Sequence, residues 1–161
     1  DTLNLGGSYV SASLTATPST IAARDSSGDI YANRFEGTAA EAEYADLAEK
    51  YLTDADYDVG TVVTVGGEAE VRAAIFGDRA IGVISAYPAY LMNSASNGQA
   101  VALKGRVPVK VTGAIKKGDR LIAADNGCAV HAGFHQYQDV FAIALETNND
   151  VGIKLVEAIV L

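Results

Sequence analysis

The sequence predicts a mainly β protein: an extended N-terminal arm and small hairpin, a short helix, then a compact antiparallel β-barrel or sandwich, assembled from more than one copy. Three observations lead there. From Leu52 onward, short Val- and Ile-rich segments alternate with Gly, Asp and Asn, the pattern of strands joined by tight turns. The first 37 residues are poor in large apolar side chains. Hydrophobic residues make up 49% of the chain, but Ala and Val dominate them, with eight Tyr, four Phe and no Trp. A core built from such small side chains is thin for one subunit, and burial between subunits is the natural supplement.

Residues 1–37 form the arm and hairpin. Asp1 to Thr20 carries Gly6, Gly7, Pro18 and many Ser and Thr residues, too little apolar material to fold by itself. An extended arm is expected. After it, Asp25-Ser-Ser-Gly28-Asp29 reads as a turn between two short alternating segments. Two isolated strands are marginal in water, so this hairpin must pack on something else.

Residues 38–51 form the helix. Thr38-Ala-Ala-Glu41 has the spacing of a capping box, in which hydroxyl and carboxylate satisfy each other's backbone donors. Tyr44, Leu47, Ala48 and Tyr51 then recur at three- and four-residue spacing, leaving Glu43, Asp46, Glu49 and Lys50 to water. Three copies of such a helix can pack around an axis, and a connector helix lying on the next domain fits equally well.

Residues 52–161 form the globular β domain. Its expected strands are 60–65, 70–74, 80–85, 101–104, 107–111, 120–124, 128–131, 140–144 and 151–160. Turns are expected at Gly66-Gly67, Lys117-Gly118-Asp119, Asp125-Asn126-Gly127 and Asn148-Asn149-Asp150. So many short strands favour a barrel or sandwich. The apolar end, Leu155 to Leu161, is expected in a sheet or an interface. Tyr87-Pro-Ala-Tyr90-Leu91-Met-Asn93 reads as an aromatic loop: a subunit contact, a loop packed back on its own domain, or a receptor- or carbohydrate-binding patch.

Two stretches carry a resemblance. Ala23-Arg-Asp-Ser-Ser-Gly-Asp-Ile30 followed by Phe35-Glu-Gly-Thr-Ala39 looks like the short linking units of tail-fibre and tail-spike chains. Tyr44-Ala-Asp-Leu-Ala-Glu-Lys-Tyr51, Tyr57-Asp-Val-Gly-Thr-Val-Val63, Ile81-Gly-Val-Ile84, Tyr87 to Asn93, Gly105-Arg-Val-Pro-Val-Lys110 and Lys117-Gly-Asp119 are similar, in that order, to the C-terminal domains of phage fibre-like structural proteins. The resemblance covers about Tyr44 to Leu161. It implies a trimeric, non-enzymatic virion protein, located on the capsid exterior or the tail, with other virion proteins such as the major capsid protein as partners. A compact trimer with an arm suits a capsid decoration (cement) protein. A tail-fibre or tail-spike domain binding a host surface receptor or glycan is the alternative. Some related fibres end in a self-cleaving chaperone domain, but no counterpart of its cleavage motif follows Tyr51.

Charge narrows the classes further. A net charge of −8 and a pI near 4.6 argue against nucleic acid held on a broad basic surface. No apolar run approaches the roughly 20 residues of a membrane span and no signal-peptide pattern opens the sequence, so a soluble protein without membrane insertion is expected. Catalytic, cofactor and metal sites are expected to be absent. His131 and His135 lie four apart but lack the Glu of a His-Glu-x-x-His motif. Asp54, Asp56 and Asp58 alternate, yet Val59 and Val65 stand where a calcium loop needs Gly and Glu. Gly6-Gly7 and Gly66-Gly67 lack a phosphate loop's Lys, and Cys128 has no activating neighbour. The candidate functional residues are therefore those of a subunit interface: Tyr44, Leu47, Tyr51, Tyr87, Tyr90 and Leu91.

Overall fold

Burial alternates along one long strand, Gln99–Val111, and the larger part of the fold is organised around it. The computed structural model describes residues 2–5, 8–15, 17, 20–32, 44–134 and 136–161. It divides into two units, Asp1–Ala40 and Glu41–Leu161.

In the first unit β1 (Thr2–Leu5) and β2 (Ser8–Ser13) pair antiparallel, with Leu5 opposite Ser8. β3 (Ile21–Ala22) joins β2 in parallel. The expected extended arm is thus a hairpin in its first residues. The expected turn is present: the Asp25 carboxylate accepts the Ser27 and Asp29 amides at 2.8 and 2.9 Å. Arg24 Nη1 donates to the Gly28 carbonyl at 2.9 Å. The segment before the turn pairs with β2, however, and the hairpin's second half falls partly at 33–37, outside the described residues.

The second unit contains β4 (Asp46–Tyr51), β5 (Val62–Val65), β6 (Val71–Ala73), β7 (Gly82–Ile84), β8 (Tyr90–Met92), β9 (Gln99–Val111), β10 (Arg120–Ala124), β11 (Cys128–His131), β12 (Ala142–Ala144) and β13 (Lys154–Val160). Five of them close a barrel in the order β9, β13, β12, β10, β11 and back to β9, where Ala129 pairs in parallel with Val111. Of the two architectures expected, the barrel is the one formed. Its interior takes alternate residues: Val107, Val109 and Val111 from β9 meet Val156, Ala158 and Val160 from β13, with Leu121, Ala123, Ala129, Phe141 and Ala142. Burying each aliphatic side chain contributes about 1.5–3 kcal/mol before chain entropy is counted. Asn126, with φ 60°, makes the tight β10–β11 turn at the expected Asp125-Asn126-Gly127.

β9 outlasts the barrel, so 101–104 and 107–111, expected as two strands, are one. Its half beyond the barrel carries β4 on one edge and β7 on the other, and β5 and β6 continue past β7. A second cluster, Val63, Val71, Ile84 and Val101 with Tyr51 and Tyr57, forms there. β13 and β4 lie on opposite edges of β9, and both pair with Gly105. Gly105 has φ +106°, and a Cβ there would lie 2.2 Å from the Ala45 carbonyl oxygen, so glycine is required where both strands pair with it.

The expected helix is contradicted over 46–51, which form β4, while 38–43 lie outside the described residues. Six residues gain little as an isolated helix. As a strand they reach the open edge of β9, from Asp46 opposite Gly105 to Tyr51 opposite Gln99, with a bulge between Leu47 and Ala48. The segment's spacing also alternates: Asp46 and Ala48 are buried while Leu47 is exposed. Asp46 therefore does not face water as the helical reading had it.

Candidate subunit interface

β4 and β8 pair in parallel, with Leu47 opposite Tyr90, Ala48 opposite Leu91 and Glu49 opposite Met92. The aromatic loop expected at 87–93 thus contains a short strand. The pairing brings most of the sequence-selected residues onto one ribbon. Tyr44 stacks on Tyr87 with ring centroids 5.6 Å apart and planes inclined by 23°. Tyr87 and Tyr90 are 69% and 66% exposed, Tyr44 and Leu47 are 46% and 38% exposed, and Leu91 is half-buried. Tyr51 sits at the far end of β4, where its ring packs against the second cluster and its hydroxyl donates to Glu49 at 2.9 Å. Burial, followed by the Glu49 carboxylate, pushes the Tyr51 phenol above its usual value.

A cleft of about 280 Å³ opens beside the stacked rings, lined by Tyr44, Asp46, Val59, Tyr87, Arg106 and Pro108 among others. Asp46 is 5% exposed. Its carbonyl accepts the Ala89 amide at 2.9 Å, but no donor among the described residues reaches its buried Oδ2. Such a carboxylate oxygen is costly to leave without a partner. The sequence reading missed Asp46 and Arg106. The signal for Asp46 was the alternation within 44–51, read instead as a helical period.

Around the cleft, the outer face of β13 presents Leu155 and Ile159, which are 49% and 40% exposed. Register sets Leu155 opposite Lys110 and Ile159 opposite Arg106. Exposed apolar groups thus stand on two flanks of β9.

The other residues weighed in the sequence lie elsewhere. Asp54 accepts a short hydrogen bond from the Tyr57 hydroxyl. His131 Nδ1 lies 3.3 Å from Asp119 Oδ1, and His135 is outside the described residues. Cys128 is buried, and burial raises its thiol pKa. Among the described residues no group of three or more His, Cys, Asp or Glu side chains is arranged to hold a metal. No helix among them is long and apolar enough to cross a membrane.

The barrel with its flanking ribbons is a fold found in a bacteriophage protein, so the expected resemblance to phage proteins holds at the level of fold. That protein is bacteriophage phi29 gene product 12. Its C-terminal fragment is similar with a TM-score of 0.59 and 17% identity, over 72% of this chain and 100% of that one. The pre-mature form of the same phage protein is similar with a TM-score of 0.63 and 16% identity, over 83% of this chain and 23% of that one. The chain thus spans under a quarter of the longer protein. No protein-family model and no curated protein matches it.

Proposed function

We propose that this chain is a non-enzymatic structural protein of a phage particle, working as a trimer on the particle exterior, with the β4–β8 ribbon and the outer face of β13 turned toward neighbouring copies. The observation that carries the self-association reading is the exposed apolar face centred on Tyr44, Leu47, Tyr87 and Tyr90. The fold likeness to a phage protein supports the virion setting. Decoration of the capsid, through contacts with the major capsid protein, is the leading form of this role. The N-terminal hairpin gives it less support than an extended arm would.

A second reading is favoured by the cleft. Stacked tyrosines beside Asp46, Arg106 and Ser85 combine an aromatic platform with polar groups, the chemistry that binds a sugar ring. On that reading the chain is a tail-fibre or tail-spike domain that binds a host receptor or glycan.

Purified protein mixed with separated phage heads, separated tails and intact host cells, followed by co-sedimentation, distinguishes these roles. Binding to heads supports decoration, and saturable adsorption to cells supports the receptor reading. Binding to none of the three contradicts both.

A further inference from the structure

We propose that the cleft at Asp46 is half of an intermolecular ion-pair site, completed when Arg106 of a second copy of this chain enters it and pairs with the Asp46 carboxylate. The inference rests on the self-association proposed above and gives it a defined contact.

Asp46 Oδ2 is shielded from solvent and unpartnered among the described residues. An oxygen held this way has lost its hydration and received no hydrogen bond in return, which costs stability. The backbone cannot easily relieve it. Asp46 is held opposite Gly105 in the β4–β9 ladder, and its carbonyl is bound by the Ala89 amide. A carboxyl group fixed in place on the wall of a cleft, with one oxygen lacking a donor, is a fitting partner for a cation delivered from outside.

The walls select which cation. Tyr44, Tyr87, Val59 and Pro108 line the approach. A guanidinium is planar, weakly hydrated and stacks on aromatic rings, so it suits these walls better than an ammonium. The volume of about 280 Å³ accommodates such a head and part of its stem.

The second copy is the fitting donor because Arg106 stands at the rim of this same cleft, directly after Gly105. Its amide binds the Ala45 carbonyl at 3.2 Å. Its side chain is exposed and does not bond Asp46 Oδ2 within its own chain. Donor and acceptor thus line one cleft, and a rotation axis passing near it brings Arg106 of each copy to Asp46 of the next. For a chain of net charge −8, the pairing also offsets like-charge repulsion where the apolar faces meet.

The test is sedimentation velocity over a concentration series for wild type, Asp46→Asn, Arg106→Gln and the double variant, with thermal melts at the dilute end. Each single variant should weaken assembly on the order of a hundredfold. The double variant should lose about as much as one single variant, not the product of both. The dilute Asp46→Asn domain should melt no lower than wild type, since Oδ2 has no donor of its own chain to lose. Assembly of Asp46→Asn as tight as wild type overturns the ion pair, and so does a lower melting point without a change in assembly. A wild type that is monomeric throughout refutes the self-association reading itself. An oligomeric wild type indifferent to Asp46→Asn refutes the ion pair alone.

Discussion

The ring of Tyr44 lies on the ring of Tyr87 at 5.6 Å between centroids, tying the entry of β4 to the loop that leads into β8. An offset aromatic pair contributes roughly 0.5–1.5 kcal/mol beyond the area it buries. Tyr87→Ala should therefore lower the stability of the isolated domain by about 1 kcal/mol, read from the urea midpoint. It should weaken assembly by a larger factor, because the same ring is exposed on the proposed contact face.

Leu47 and Tyr51 lie on one strand but should respond differently to the same change. Leu47→Asp alters an exposed side chain and should leave the melting point of the dilute domain nearly unchanged while impairing assembly. Tyr51→Asp places a charge against the Val63, Val71, Ile84 and Val101 cluster and should destabilise the domain itself by about 3 kcal/mol or more. Equal losses of stability in the two variants would contradict this division.

Gly105→Ala should cost about 1–3 kcal/mol or more, because φ is +106° and the added carbon meets the Ala45 carbonyl at 2.2 Å. Hydrogen exchange should show lost protection in β4 before the barrel strands. Uniform loss would mean that the close approach of Gly105 to Ala45 is not a local weak point.

Arg72 and Asp78 form a two-point ion pair, with Nη1 donating to Oδ2 at 2.8 Å and Nη2 to Oδ1 at 3.0 Å. The Arg72 hydrogen bonds, with that of the Ile75 amide, hold the Asp78 carboxyl below the ordinary value of 3.8. A carboxyl depressed in the folded state stabilises it fully above the unfolded value, and that contribution fades as pH falls toward the folded one. The stability difference between wild type and Asp78→Asn should be constant from about pH 7 to about pH 5 and shrink below about pH 4. Urea midpoints across that range check it, and a difference unchanged at low pH would contradict it.

Most of the barrel was legible in the sequence because its strands are short apolar runs that end in turn residues. Arg120–Ala124 and Cys128–His131 lie where the pattern put them. What misled was the 44–51 segment, whose apolar residues satisfy a helical and a strand period at once. The open edge of β9 decided between them, and an edge formed by residues 99–105 is a long-range fact that no local window contains. The same ambiguity hid Asp46, which a helix would have turned to water. Tyr44, Leu47, Tyr87, Tyr90 and Leu91 were chosen for aromatic and apolar character, and they come together because β4 and β8 pair. The cleft required residues from five parts of the chain, among them Val59 and Arg106, and their meeting follows from topology alone.

Light scattering of the purified protein over a concentration series tests the central claim most directly. Self-association as a trimer predicts a stable mass near three copies of 16.7 kDa, about 50 kDa, held on dilution. A mass of one copy at every concentration would contradict the interface assigned to Tyr44, Leu47, Tyr87 and Tyr90.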